Sequence, residues 1–212
     1  MFDFKELIKD IQKYFDSGGG HSFDHIERVY NLAMELAKDE KVDLDILKAA
    51  VLLHDVARLK QWKNEVECHA EEGARMAPEI LRKHKFPEEK IEDVIHCVMV
   101  HRKGKFLEPK TREAEILHDA DLLDLLGAIG ILRATAHLYN RRLYDENEEE
   151  PKEFRFRDKS KEPKTVLNWL YALSLMELSF FKTEKAREFG KERLDYLKDF
   201  IKHFKKEWKG EL

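Results

Sequence analysis

The chain has 212 residues, 42% hydrophobic and 39% charged, with a formal net charge of -4. That length can bury a full hydrophobic core, and a single domain over residues 1–212 is the expected organisation. The acidic balance argues against a nucleic-acid-binding surface, and no apolar run reaches the ~20 residues that cross a bilayer. The start Met1-Phe2-Asp3-Phe4-Lys5-Glu6 reads as neither a signal nor a transit peptide, so the expected location is cytoplasmic. Cys68 and Cys97 lack a CxxC spacing, which points away from a disulfide framework or a thiolate zinc site.

Apolar residues recur at helical spacing from end to end, so the expected fold class is all-α. A first helix spans about Phe4 to Phe15, with Phe4, Leu7, Ile8, Ile11 and Phe15 on one stripe; Ser17-Gly18-Gly19-Gly20 ends it. Asp24 and Glu27 read as the cap pair of a second helix, whose core face is Ile26, Val29, Leu32, Ala33 and Leu36. Asp43 caps a third, strongly apolar helix that runs through Leu47, Val51, Leu53, His54 and Ala57 and breaks near Gln61 to Asn64. A fourth carries Ala70, Ala74, Ala77, Ile80 and Leu81. Pro87 opens a fifth that ends near His101, since proline lacks only a donor that would be orphaned there. Thr111 caps a long sixth helix through Ile116, Leu123 and Ile129, in which Gly127 and Gly130 mark close packing or a bend. The acid-rich then basic segment 145–163 reads as an exposed loop, and 166–181 with 183–208 form a C-terminal helical pair.

Chemistry concentrates at four positions. His54 and Asp55 stand side by side in the most apolar helix, where an ionised carboxylate costs several kcal/mol unless a cation or strong donors meet it. His25 opens the second helix, and Asp121 lies within His118-Asp119-Ala120-Asp121-Leu122-Leu123-Asp124. Imidazole and carboxylate ligands suit Mn, Fe, Zn, Co, Ni or Mg, and a bound divalent ion can bring the pKa of water to about 7. Arg58, Arg102, Lys103 and Lys105 are candidate phosphate contacts. His84, His96, His118, His137 and His203 read as surface or satisfied core residues, and Asp124 as the partner of a neighbouring base. The aromatic residues near the C-terminus read as core or dimer packing, so a homodimer is one expected assembly.

His25, the His54-Asp55 pair and Ala120-Asp121 together resemble the H...HD...D signature of the HD superfamily of metal-dependent phosphohydrolases. The stretches His21-Ser22-Phe23-Asp24-His25, His69-Ala70-Glu71-Glu72-Gly73-Ala74 and Asp119 to Gly130 are similar to those of a small stand-alone bacterial and archaeal subgroup, and the likeness covers almost the whole chain. The resemblance implies a helical HD domain with a metal core over about 20–130 and a divalent ion held by His25, His54, Asp55 and Asp121. It assigns catalysis to His54 and Asp55, with Asp119 orienting a ligand or a water.

The implied reaction is hydrolysis of a nucleotide phosphoester or pyrophosphate bond by metal-activated water. Families with two ions carry extra histidines at places comparable to His69 and His101. One ion, with these two histidines facing substrate, is the expected arrangement; a second ion is the alternative. This chain departs from the subgroup at Leu122, where arginine is common, and at Trp169-Leu170-Tyr171-Ala172-Leu173, where a lysine is common. Two further functional readings are a non-catalytic metal- and nucleotide-binding regulatory module and a di-iron oxygenase of the same fold.

Overall fold

Residues Leu44–Leu53 show how a capped, apolar helix forms in this chain. The Asp43 carboxylate accepts from the backbone N–H of Asp45 and Ile46, at 2.9 and 3.3 Å, which satisfies two donors that the first turn leaves orphaned. Leu47, Ala49, Ala50, Val51 and Leu53 behind that cap are all fully buried. Each large apolar side chain taken from water contributes about 1.5–3 kcal/mol.

A computed structural model describes residues 2–15, 22–102, 107–154 and 163–211. Its helices are α1 (Lys5–Ile11), α2 (Phe23–Leu36), α3 (Leu44–Leu53), α4 (Arg58–Trp62) and α5 (His69–Lys83). They continue as α6 (Ile91–Val100), α7 (Arg112–Leu123), α8 (Gly127–His137), α9 (Val166–Ser174) and α10 (Glu184–Trp208). No strand occurs among the described residues, so the fold is all-α as the periodicity predicts. The chain groups into two units, Met1–Asp121 and Leu122–Leu212.

In the first unit, α3 packs against α1, α2 and α6, while α5 lies along α6 and touches α4. Several expected boundaries shift. Ser22, with extended backbone, precedes α2, so Asp24 sits inside the first turn, where its charge meets the positive end of the helix dipole. α3 stops at Leu53, and His54 to Ala57 form a turn before the short α4. Pro87 leads into a single 3₁₀ turn, Glu88–Lys90, with α6 starting at Ile91.

In the second unit, α10 packs on α8 and α9 through Ala186, Gly190, Leu194, Leu197 and Ile201. The predicted long sixth helix is two helices. Leu126 is extended and Gly127 has φ +69°, a left-handed conformation that glycine adopts without penalty, so the chain turns there and restarts as α8. Gly130 sits over that turn: a Cβ on it would lie 2.1 Å from the Leu125 carbonyl oxygen. The Asp124 carboxylate accepts from Arg133 at 2.7 Å in a buried pair, matching the expected basic partner.

The expected helix 166–181 ends at Ser174, and Leu178–Phe180 is an isolated 3₁₀ turn. Of the expected loop 145–163, residues 155–162 lie outside the described residues, as do Lys103 and Lys105. Its described part contains no helix and is tied down where Lys205 meets Glu150 and the Asn168 amide donates to the Glu149 carbonyl.

The Leu125 carbonyl belongs to the backbone and cannot rotate away as a side chain would. Gly130→Ala is therefore expected to destabilise the protein by about 2 kcal/mol or more. A urea unfolding midpoint equal to that of the unsubstituted chain would contradict this account of the bend.

Candidate metal centre

Helix ends build the site. His25 lies in the first turn of α2, His54 caps the C-terminus of α3 with Asp55 directly after it, and His69 is the first residue of α5. His101 caps the C-terminus of α6, and Asp121 lies in the last turn of α7. All six belong to the first unit. His25, His54, Asp55, His69 and His101 are buried, while the Asp121 side chain is 26% exposed.

The last carbonyls of a helix have no partner within it. The His54 Nδ1–H donates to the Val51 carbonyl at 2.7 Å, and the His101 Nδ1–H donates to the Val98 carbonyl at 2.6 Å. Because a carbonyl only accepts, each bond puts the ring proton on Nδ1 and leaves an Nε2 lone pair facing inward. Gln61 does the same for His69. Its amide nitrogen donates to the Glu67 carbonyl, which turns Oε1 toward His69 Nδ1 at 2.7 Å.

The inward atoms fall into two groups, His25–His54–Asp121 and Asp55–His69–His101, each with its ligand atoms within 4.8 Å of one another. The Nε2 atoms of His25 and His54 are 3.3 Å apart, as are those of His69 and His101. Asp55 faces both groups: Oδ2 is 3.8 Å from His25 Nε2 and 4.0 Å from His54 Nε2, while Oδ1 is 3.1 Å from His69 Nε2 and 3.8 Å from His101 Nε2. Asp121 Oδ1 is 3.3 Å from His25 Nε2. Nitrogen lone pairs converging on carboxylates in a buried volume repel one another unless a cation lies among them, so this donor set fits divalent metal.

Burial holds the His54, His69 and His101 imidazoles below their ordinary pKa, and His101, also facing His54 and His69, is lowered to about 3. Burial works against ionisation of Asp121, but the facing His25, His54 and His101 outweigh it and hold the carboxyl below the usual range. These side chains are thus held in the forms that could bind a metal ion.

The other predicted residues divide. Arg58 Nε donates to Asp55 Oδ2 at 3.2 Å, so it braces the carboxylate. The Arg102 guanidinium donates to Cys68 Sγ at 3.4 Å, beside His69 in sequence. Asp119 is fully buried, with Oδ1 3.1 Å from His118 Nδ1. His84 meets Asp10, His96 accepts from the Lys110 backbone, His137 lies against Trp169 and His203 faces Glu207; none is in either cluster. Gln61 escaped the sequence reading, because a lone glutamine in a polar break carries no pattern.

The HD domain family matches residues 22–126, which include every residue of both clusters. The Bacillus subtilis protein YpgQ is 30% identical over 201 residues, spanning 92% of this chain and 88% of YpgQ. A solved HD-superfamily hydrolase from Bacillus thuringiensis superposes with a TM-score of 0.70 at 29% identity, over 97% of this chain and 96% of that one. Ribonuclease Y of Alkaliphilus metalliredigens is 36% identical over 141 residues, but the match spans only 27% of that protein. The chain belongs to the HD superfamily of hydrolases.

With metal removed by chelator, the three buried imidazoles take up protons at lower pH than their unfolded counterparts, which do so below about pH 6.5. Because folding lowers their pKa, full stability holds above the unfolded value of about 6.5 and is lost progressively as the pH falls from there toward the folded value. Urea unfolding of chelated protein is expected to weaken progressively from pH 7 to 5, above the range in which Asp121 titrates. A flat profile across that window would contradict the neutral, buried cluster.

Proposed function

We propose that this protein is a metal-dependent phosphohydrolase acting on nucleotides, with two ion positions sharing Asp55. The observation that carries this reading is the pair of adjoining donor groups, with histidine protons fixed on the outward nitrogens. His25, His54 and Asp121 would hold one ion and His69 and His101 the other. Divalent metal bound there lowers the pKa of water and polarises a phosphoryl oxygen.

The chain's own groups do the rest. His54, His69 and His101 offer lone pairs without first releasing a proton, because their protons are already committed to Val51, Gln61 and Val98. Arg58 offsets the Asp55 charge and fixes its carboxylate plane. Arg102, partly exposed at the end of α6, supplies a cation for a phosphate group. Asp119 acts from the buried side of α7 as a positioning group. The nucleotide assignment is supported by YpgQ, which has been crystallised in complex with ADP.

The same donors would also serve iron, which gives the oxygenase reading a specific observation in the Asp55–His69–His101 group. One experiment separates the readings. Chelator-stripped protein reloaded with Mn, Co, Ni, Mg, Zn or Fe is screened for phosphate and pyrophosphate release from nucleoside mono-, di- and triphosphates. Metal-dependent release, lost in a folded Asp55→Ala variant, is the expected result, and His101→Ala is expected to lower the bound metal from two ions to one. Nucleotide binding without product under every metal would overturn the hydrolase in favour of a regulatory module. An iron-dependent optical band with no hydrolysis would favour the oxygenase.

A further inference from the structure

The solvent face of α8 is out of character for this chain. In a protein 39% charged, residues 127–144 contain no acid and no lysine. The single charged residue of α8 is Arg133, and it is turned inward onto Asp124. What remains outside is Ala128, Ile129, Leu132, Thr135 and Ala136, all exposed, with Leu132 at 69%, and His137, whose ring lies against Trp169. The backbone continues helically into Leu138, and Tyr139 follows at 85% exposure, one turn beyond Ala136; Leu143 is 52% exposed. The spacing 129, 132 and 136 is that of one helix face, and Tyr139 stands in the turn just beyond its end. Even the hydroxyl on this face is withdrawn, because Thr135 Oγ1 donates back to the Ile131 carbonyl at 2.9 Å.

We infer that this face of α8 is a two-fold contact between copies of the chain. A two-fold axis sets a patch against itself, so any charge on it would meet the same charge across the axis. The helical part of this face carries no formal charge, and Arg142 beyond it is paired with Asp145, so the face is suited to a second copy, whereas an anionic partner such as nucleic acid would be met by lysines and free arginines. Size agrees. An aromatic side chain presents ~150–250 Å² and an aliphatic one somewhat less, so Ile129, Leu132 and Tyr139 with the smaller Ala128, Thr135 and Ala136 around them offer roughly 500 Å² per copy and about 1,000 Å² in a self-contact, the lower bound for a specific interface. The small size of Ala128, Thr135 and Ala136 lets two α8 backbones approach. Both glycines of α8 lie elsewhere, at the turn that joins it to the preceding helix.

This inference stands apart from the proposed activity. Sedimentation equilibrium of the full chain, metal-loaded and chelated, is expected to give a dimer. Leu132→Arg is expected to weaken dimerisation by about 30-fold or more while leaving the circular dichroism spectrum and unfolding midpoint in place, because that side chain is largely in water in the monomer. As an independent readout, Leu132→Cys is expected to cross-link under mild oxidation; the native Cys68 and Cys97 are buried and do not compete. A chain monomeric at every concentration overturns the inference, and binding of that monomer to lipid vesicles would assign the face to a membrane surface. A dimer that persists undiminished in the Leu132→Arg, Tyr139→Glu double variant, with no cross-link from Leu132→Cys, places the contact on another face and also overturns it.

Discussion

Three hydrogen bonds that never touch the reacting centre decide what the centre can be. Each takes the Nδ1 proton of a buried histidine and ties it to an oxygen: the Val51 carbonyl, the Val98 carbonyl and the Gln61 side chain. Two of those acceptors are carbonyls that a helix C-terminus leaves without a partner, so ending α3 and α6 and aiming an imidazole are one event. Had either helix run one turn further, its carbonyl would be consumed within the helix, and the ring would be free to point its proton inward. The His54 turn that interrupts the expected third helix is thus the structural form of the metal site.

The arrangement carries a cost that explains the surroundings. Four imidazoles and two carboxylates are brought together, five of these six side chains almost entirely out of water, and every one loses hydration. The apolar body of α3, fully buried from Ala49 to Val51, offsets that loss and keeps the lone pairs from relaxing apart. Arg58 limits the charge problem at Asp55 by contacting one oxygen and leaving the other toward His69. Bound metal adds stability by favouring only the folded arrangement.

The all-α fold class and the candidate metal-site residues were legible in the sequence. Helical spacing of apolar residues survives in any sequence that must bury one face, and a histidine next to an aspartate inside an apolar run has few inexpensive explanations. The grouping of His25, His54-Asp55 and Asp121 came from their resemblance to the H...HD...D signature, and the structure places these side chains beside one another. What escaped was anything set by three-dimensional position alone. The split of the sixth helix depends on the left-handed backbone of Gly127 and the contact over Leu125, for which glycine in the sequence signals a bend or close packing without choosing. Gln61 matters only because its amide meets His69 from eight residues away, and the bond from Arg58 to Asp55 likewise had no sequence signal. His69 and His101 could be singled out, but not their pairing at 3.3 Å.

The most direct measurement is the protonation tautomer of the buried histidines, read by long-range ¹H–¹⁵N correlation NMR on chelated, ¹⁵N-labelled protein near neutral pH, with single His→Gln variants for assignment. The account predicts Nδ1-protonated, neutral rings for His54, His69 and His101, with Nε2 carrying no proton, and a shift of those Nε2 resonances when divalent zinc is added. Rings protonated at Nε2, or charged at both nitrogens, would contradict it, because the lone pairs that a metal ion would need would not exist.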